Sequence, residues 1–355
     1  MSAIPPDLRG RRARDPFWVA VNTVFNGIQR VRSLRAPHLP AVRPVDRTLA
    51  LVVREARREA GDVVSLVLGA PDGRALPAWQ PGCHLDVLLP SGRRRQYSLC
   101  GDPRDRRSYR IAVRRLPAGG GGSVEMHEAY REGSAITVQG PRNAFPFLAR
   151  DRYLFVAGGI GITPILPMVR AAERAGADWR FVYAGRDRAS MPFLDEVGAL
   201  PAERVTVRAD DERGGAPRAD ELLAGAAPGA AVYCCGPAPM IDGVRAAFGD
   251  GDGRGATLHY ERFAPAPITD GRPFEVELGR GGPVLPVPAD RSALDVIRER
   301  RPDVAYSCRQ GFCGTCRTAV LAGDVDQRAA PDAGADGSML VCVSRARGGR
   351  ITLDL

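Results

Sequence analysis

Residues 307–317 read SCRQGFCGTCR, and the thiols of Cys308, Cys313 and Cys316 have a distant companion in Cys342. The spacing is Cys-x4-Cys-x2-Cys, with the fourth cysteine after 25 intervening residues. Zinc sites pair their ligands as two short-spaced clips, which this three-plus-one arrangement fits poorly. It matches [2Fe-2S] ligation, in which one loop wraps the cluster and a remote thiolate closes the cage. Such a cluster passes electrons singly. Gly311 and Gly314 suit the loop, because without a Cβ the backbone approaches the inorganic sulfurs and aims N–H groups at them. Arg309 and Arg317 offset the negative charge of the cage.

A second stretch, VAGGIGITPILPMV at 156–169, sets Gly158, Gly159 and Gly161 between an apolar run and a helical pattern opened by Thr163 and Pro164. Free amides at a helix start receive a pyrophosphate. The spacing G-G-x-G-x-T-P is not the Rossmann G-x-G-x-x-G. In YAGRDR, 183–188, Asp187 suits a ribose 2′-hydroxyl, whereas Arg186 and Arg188 suit a 2′-phosphate. Both NADH and NADPH stay open, with NADH favoured. A nicotinamide delivers its electrons as a hydride pair, so a flavin, which releases them one at a time, is needed before the cluster.

These residues need elements to hold them. A chain of 355 residues suits two or three domains. Residues 1–46 are a basic leader with eight Arg against three Asp, in which Phe17, Val21, Val24, Ile28 and Val31 recur at helical spacing behind Asp15 and Pro16 as N-cap and first turn. The stripe is expected to pack on the protein body, the sharper alternative being a basic amphipathic helix on a membrane surface or partner. Residues 47–148 read as short strands with Pro/Gly turns, an antiparallel β-barrel. Residues 149–262 alternate apolar strands with helical segments, an α/β domain on a parallel sheet. Residues 263–273 form a Pro-rich linker, and 274–355 a compact α+β unit around the cysteines. Cys83, His84, Cys100 and His127 read as barrel packing or supporting groups.

Composition excludes several classes. The net charge is +9, yet every basic residue is Arg, so no lysine chemistry is available. No recognition motif accompanies the charge, which argues against nucleic acid as a partner. No apolar run spans a membrane and the N-terminus lacks a secretory signal, so the expected location is cytoplasmic, with peripheral membrane contact through 1–46 as an option.

Longer stretches carry resemblances. SALDVIRERRPDVAYSCRQGFCGTCRTAVLAGDVDQR and the closing MLVCVSRA resemble plant-type ferredoxins, of β-grasp fold. The glycine turn and YCCGPAPM, 233–240, resemble the nucleotide domain of the ferredoxin-NADP reductase superfamily; the likeness places Cys235 near the nicotinamide, with Gly236 allowing close approach and Cys234 as buried filler. RQYSL, 95–99, resembles the R-x-Y-S flavin motif, which gives Arg95 the phosphate, Tyr97 a place against the ring and Ser98 a hydrogen bond to the flavin. GGGGSVEMHE, 119–128, resembles a G-R-G-G-S phosphate loop; this assigns Gly122 and Ser123 to the phosphate and implies FMN over FAD, although Gly120 stands where the pattern has Arg. HYERF, 259–263, resembles the stretch whose aromatic, here Phe263, covers the flavin until nicotinamide displaces it.

In this order the parts resemble the phthalate dioxygenase reductase and vanillate demethylase reductase family over 47–355. The resemblance implies an NAD(P)H oxidoreductase that passes hydride to FMN and single electrons through [2Fe-2S] to a terminal oxygenase protein. A Rieske-type oxygenase leads, ahead of a P450 or a di-iron hydroxylase or desaturase. The rival class is a redox-sensing or scaffold protein without high turnover. The leader lies outside the resemblance.

Overall fold

The computed structural model describes residues 15, 17–24, 47–117, 121–248, 255–263, 268, 270–306, 309, 311, 314–328 and 337–355. The first sheet is antiparallel and six-stranded, made of β1 (Thr48–Ala60), β2 (Val63–Gly69), β3 (Cys83–Leu88), β4 (Arg94–Ser98), β5 (Ser108–Arg114) and β6 (Ala135–Asn143) in the order β4-β3-β6-β1-β2-β5. An isolated bridge between Leu99 and Ile111 joins the two edges into a barrel. Alternation drives it: Leu66, Leu68, Leu85, Val87, Ile111 and Val138 turn inward and are buried. Cys83, His84 and Cys100 are buried with them, and the His127 ring meets the Val113 carbonyl at 2.9 Å, as expected of packing and supporting groups.

The second sheet is parallel, with β7 (Arg152–Gly158), β8 (Asp178–Gly185), β9 (Val205–Ala209), β10 (Ala231–Cys235) and β11 (Thr257–Glu261) in the order β11-β10-β7-β8-β9. Both faces are covered, which is why β7 and β10 are apolar without alternation. Phe155, Ala157, Tyr233 and Cys235 join the core of helix Ile162–Arg174. Leu154, Val156, Val232 and Cys234 join that of helix Ala238–Phe248. The adjacent cysteines therefore serve opposite layers.

The C-terminal unit has a five-stranded sheet of β12 (Phe274–Leu278), β13 (Val284–Val287), β14 (Arg317–Ala322), β16 (Ser338–Leu340) and β18 (Arg350–Leu353), ordered β13-β12-β18-β14-β16, with β15 (Val325–Asp326) pairing β17 (Arg345–Ala346) apart. Helix Ala293–Arg300 buries Leu294, Val296 and Ile297 in its core, and the Ser292 hydroxyl caps it by accepting from the Asp295 N–H. The three-part fold class read from sequence is the one observed.

In the leader Asp15 caps, its carboxylate accepting from the Phe17 N–H at 2.8 Å, and residues 17–24 are helical. Phe17, Val21 and Val24 are exposed; Pro16, Ile28 and Val31 lie outside the described residues. Periodicity reports an apolar face, not what covers it.

Barrel and parallel-sheet unit are joined by a charged clamp. Arg110 on β5 donates to Glu196 at 2.7 and 2.9 Å, Arg170 donates to the same carboxylate, and the Arg110 guanidinium lies 4.8 Å from the Phe193 ring centroid. Burial opposes ionisation of Glu196, yet the bonds and charges of Arg110 and Arg170 outweigh it and hold the carboxyl below its ordinary range. Its contribution is thus present above the unfolded pKa and lost as pH falls through the folded one. Replacing Glu196 with Ala leaves a part-buried guanidinium unpaired and should destabilise the chain by about 3 kcal/mol at neutral pH. Denaturant titration checks this, and the difference from wild type should shrink in acid.

Candidate functional site at the junction of three sheets

Each motif occupies a strand end or a helix start. Helix Ile162–Arg174 begins at Gly161 with no side chain capping it and no acid in its first turn, so its leading N–H groups suit an anion. The glycines also have a packing duty. A Cβ on Gly161 would stand 2.2 Å from the Cys235 carbonyl oxygen, one on Gly158 2.6 Å from Pro237, and one on Gly236 3.0 Å from the Gly158 Cα. Two strand-to-helix turns interlock here, backbone on backbone. Gly159, at φ 53, lies under the Arg114 guanidinium of the barrel. Thr163 spends its hydroxyl on the Ile160 carbonyl at 3.1 Å and, like Pro164, is buried. Cys235 is fully buried, and burial pushes its thiol far up, which disfavours the reactive thiolate. At the end of β8, Arg186 is exposed, while Arg188 is occupied by Glu212 at 2.6 Å and Asp187 accepts from the Ser190 N–H at 2.8 Å.

On β4, pairing with β3 sets Val87 opposite Arg95, Leu85 opposite Tyr97 and His84 opposite Ser98. Arg95 and Tyr97 therefore lean to the barrel side, and Ser98 to the outer side. Burial pushes the Tyr97 hydroxyl up out of the range where it would ionise. Helix Gly122–Ala129 starts behind Gly121, at φ 78 and without a side-chain cap, and a Cβ on Gly122 would meet the Arg95 Nε at 2.3 Å. Uncapped amides with a guanidinium against them have the chemistry of a phosphate seat, which fits FMN. The Arg93 guanidinium stands 3.7 Å from where a Gly121 Cβ would lie, on the same spot. Ser123 accepts from the Leu116 N–H at 3.0 Å, which closes the loop before the helix. Gly119 and Gly120 lie outside the described residues.

For the cysteine cage, Cys308 and Cys313 lie outside the described residues, and among those described no ready-made group of three metal-ligating side chains stands together. Cys316 and Cys342 are brought near each other by strand pairing: β14 runs antiparallel to β16 with Arg317 opposite Leu340, and the Val341 N–H reaches the Cys316 carbonyl at 3.4 Å. Both cysteines are buried in the core of this unit. Gly311 and Gly314 have φ of 82 and 73, conformations costly for any residue with a Cβ. Arg309 pairs with Asp295 and Arg317 donates to Ser338. Two buried cysteines brought together by strand pairing, behind glycines at positive φ, suit the thiolate donor set of a [2Fe-2S] cluster.

Sequence reasoning missed Glu261. It ends β11 directly beside Cys235 in parallel register. Its Oε2 is buried with no hydrogen-bond partner among the described residues. The assigned Phe263, two residues on, is half exposed. Only the register, not the spacing, sets Glu261 beside Cys235.

Comparison with known proteins agrees with this layout. Residues 277–347 match the 2Fe-2S iron-sulfur cluster binding domain and residues 155–246 the oxidoreductase NAD-binding domain. Phthalate dioxygenase reductase of Burkholderia cepacia is 38% identical over 320 residues, covering 87% of this chain and 98% of that protein. The carnitine monooxygenase reductase subunit of Escherichia coli is 37% identical, covering 82% and 94%. Among solved structures, phthalate dioxygenase reductase superposes with a TM-score of 0.68 at 36% identity over 87% of this chain and 98% of that one. Full-length CYP116B46 of Tepidiphilus thermophilus gives 0.69 at 36% identity, covering 92% of this chain but 45% of its own.

Burial pushes Glu261 up to about 8, with the Ser98 bond offsetting only part of the cost. A carboxyl raised in the fold holds a proton that the unfolded chain has already released, so its stabilising share is whole below the unfolded pKa and is lost as pH climbs toward 8. Glu261→Gln keeps the shape and removes the titration. Urea midpoints measured from about pH 6 to pH 9 should fall more for the wild type than for this variant, and parallel curves would sink the assignment.

Proposed function

Because this chain belongs to the phthalate dioxygenase reductase family, we propose that its three sites act in series, from nicotinamide to FMN to cluster. The protein is an NAD(P)H oxidoreductase, the reductase component of an oxygenase system. The bound flavin supplies the conversion of a hydride pair into single electrons, and the cluster carries those onward. The chain's own residues position and insulate. Arg95, Gly122 and Ser123, with the uncapped helix start, hold the flavin phosphate; Tyr97 lines the ring and Ser98 faces it. Gly158, Gly159, Gly161, Thr163 and Pro164 form the pyrophosphate turn, and Cys235 and Gly236 bound the nicotinamide. Phe263 covers the flavin between turnovers. Cys308, Cys313, Cys316 and Cys342 hold the cluster.

The observation that supports this order is the seating of the barrel on the nucleotide turn, where the Arg114 guanidinium of β5 lies over Gly159 and donates to the Ser190 carbonyl at 2.5 Å. NADH is the favoured donor, since Arg188 is already paired with Glu212 and is poorly placed to receive a 2′-phosphate. The recipient is a separate oxygenase, because the relatives are matched over nearly their whole length and are named as reductases or reductase subunits. A Rieske-type oxygenase is the first choice; the likeness to 44% of the chain of an intact type IV self-sufficient cytochrome P450 monooxygenase supports a P450 as the second.

The finer placement concerns the leader. The exposed Phe17 (66%), Trp18 (50%) and Val24 (62%), in a segment with eight Arg against three Asp, suit an anionic bilayer surface. No helix among the described residues is long and apolar enough to cross a membrane.

Two outcomes follow. Cys342→Ser should lower cytochrome c reduction by about a hundredfold or more while NADH-driven flavin reduction stays within about twofold, because only the one-electron exit is lost. Equal loss of both would refute the series order. Full-length protein should co-sediment with vesicles rich in anionic phospholipid and release in high salt, and protein lacking residues 1–46 should not.

A further inference from the structure

Residues 144–151 carry the chain from β6, the last barrel strand, to β7, the first strand of the parallel sheet, and 146–150 belong to no helix or strand. Backbone polar groups outside such ladders need other partners. Two tyrosine hydroxyls supply them, each accepting once and donating once. Tyr233 on β10 accepts from the Leu148 N–H at 2.9 Å and donates to the Pro146 carbonyl at 3.1 Å. Tyr153 on β7 accepts from the Arg150 N–H at 2.6 Å and donates to the Leu148 carbonyl at 3.0 Å. Side chains thus stitch the connection at every second residue, as a neighbouring strand would.

Both tyrosines are buried, whereas Pro146, Leu148 and Arg150 are exposed. Parallel register sets Tyr153 beside Ala231 and Tyr233 beside Phe155, so the two share one face of the sheet, and Ala157 and Cys235 lie farther along that face. β7 runs on into Gly158 of the nucleotide turn, and β10 ends at Cys235. At its other end the connection is wedged against the barrel. A Cβ on Gly82 would stand 1.8 Å from the Phe145 carbonyl oxygen, and the Phe145 N–H donates to the Asn143 side chain at 3.2 Å. The Phe145 ring then packs 5.5 Å from the Tyr233 ring, and the Phe147 ring lies 5.0 Å from Tyr153 and 5.5 Å from Tyr233.

We infer that Tyr153 and Tyr233 are positioning residues whose hydroxyls fix the barrel against the parallel-sheet unit and so set the approach of nicotinamide to flavin. This role rests on the series order proposed above, in which a hydrogen leaves nicotinamide C4 with both electrons of its bond and joins flavin N5, oxidising the first ring and reducing the second. Each ring is held by a different unit, so their separation is set by what joins the units. Slack in the connection therefore lowers the transfer rate without weakening the grip of either unit on its own ligand.

Tyr153→Phe, Tyr233→Phe and the double variant keep the rings and remove only the hydroxyls. Hydrogen exchange of the full-length holoprotein, read by mass spectrometry across 145–152, should show the Leu148 amide exchanging about tenfold or more faster in Tyr233→Phe, and the Arg150 amide likewise in Tyr153→Phe. Rapid mixing with NADH, and with NADH deuterated at the transferred position, should show flavin reduction in the double variant slowed about tenfold or more. Its isotope effect should be undiminished, and its Kd for NADH, from the concentration dependence, should stay within about twofold. Each single variant should show a smaller loss of the same kind, which decides the matter where the double variant folds poorly. Flavin reduction within about twofold of wild type despite faster exchange, or a Kd that rises in step with the loss of rate, overturns the inference. A wild-type protein whose cluster is reduced before its flavin would instead overturn the series order itself.

Discussion

A carboxylate removed from water must be answered by cations or protons, and Asp86 on β3 makes that demand within the barrel. Asp86 has no access to solvent, and the cations nearest it, Arg142 at 3.4 Å and Arg94 at 3.9 Å, come from β6 and β4 of the same sheet. Glu196 makes the same demand between barrel and parallel-sheet unit, where Arg110 and Arg170 converge on its carboxylate.

Packing constraints do the rest at the nucleotide end. Gly158, Gly161 and Gly236 let two strand-to-helix turns approach until backbone meets backbone, so their small size serves the scaffold before it serves any ligand. Strand parity then sorts the two adjacent cysteines: Cys235 goes to the layer shared with helix Ile162–Arg174 and Cys234 to the layer of helix Ala238–Phe248. The turn is rigid because nothing larger fits, and a rigid turn can offer its amides without reorganising.

Local signals made much of this legible. The 3+1 cysteine spacing, the switch from alternating to continuous apolar strands and the glycine turn each express a constraint confined to a few neighbouring residues. What stayed hidden depends on pairings between distant strands. Glu261 looks like an ordinary surface acid in HYERF until parallel register sets it beside Cys235. Asp86 sits in the strand HLDVL, and its complete burial beside Arg142 and Arg94 follows from strand pairing that the local sequence does not display. In the leader, the stripe at Phe17, Val21 and Val24 has helical spacing, and a sequence shows that such a face is apolar without showing its partner.

The absence of lysine sharpens the electrostatics. A guanidinium does not shed its proton in a protein, so wherever Arg and a carboxylate are buried together the carboxylate is the partner whose state is adjustable. Glu196 and Glu261 show the two results. Two arginines converge on Glu196 and hold it ionised against its burial. Glu261 is offered a hydroxyl, while the next residue, Arg262, turns to Asp242 instead, and its carboxyl is pushed up to about 8. The clamp between units is thereby a fixed ion pair, whereas burial favours the neutral form of the acid at the end of β11.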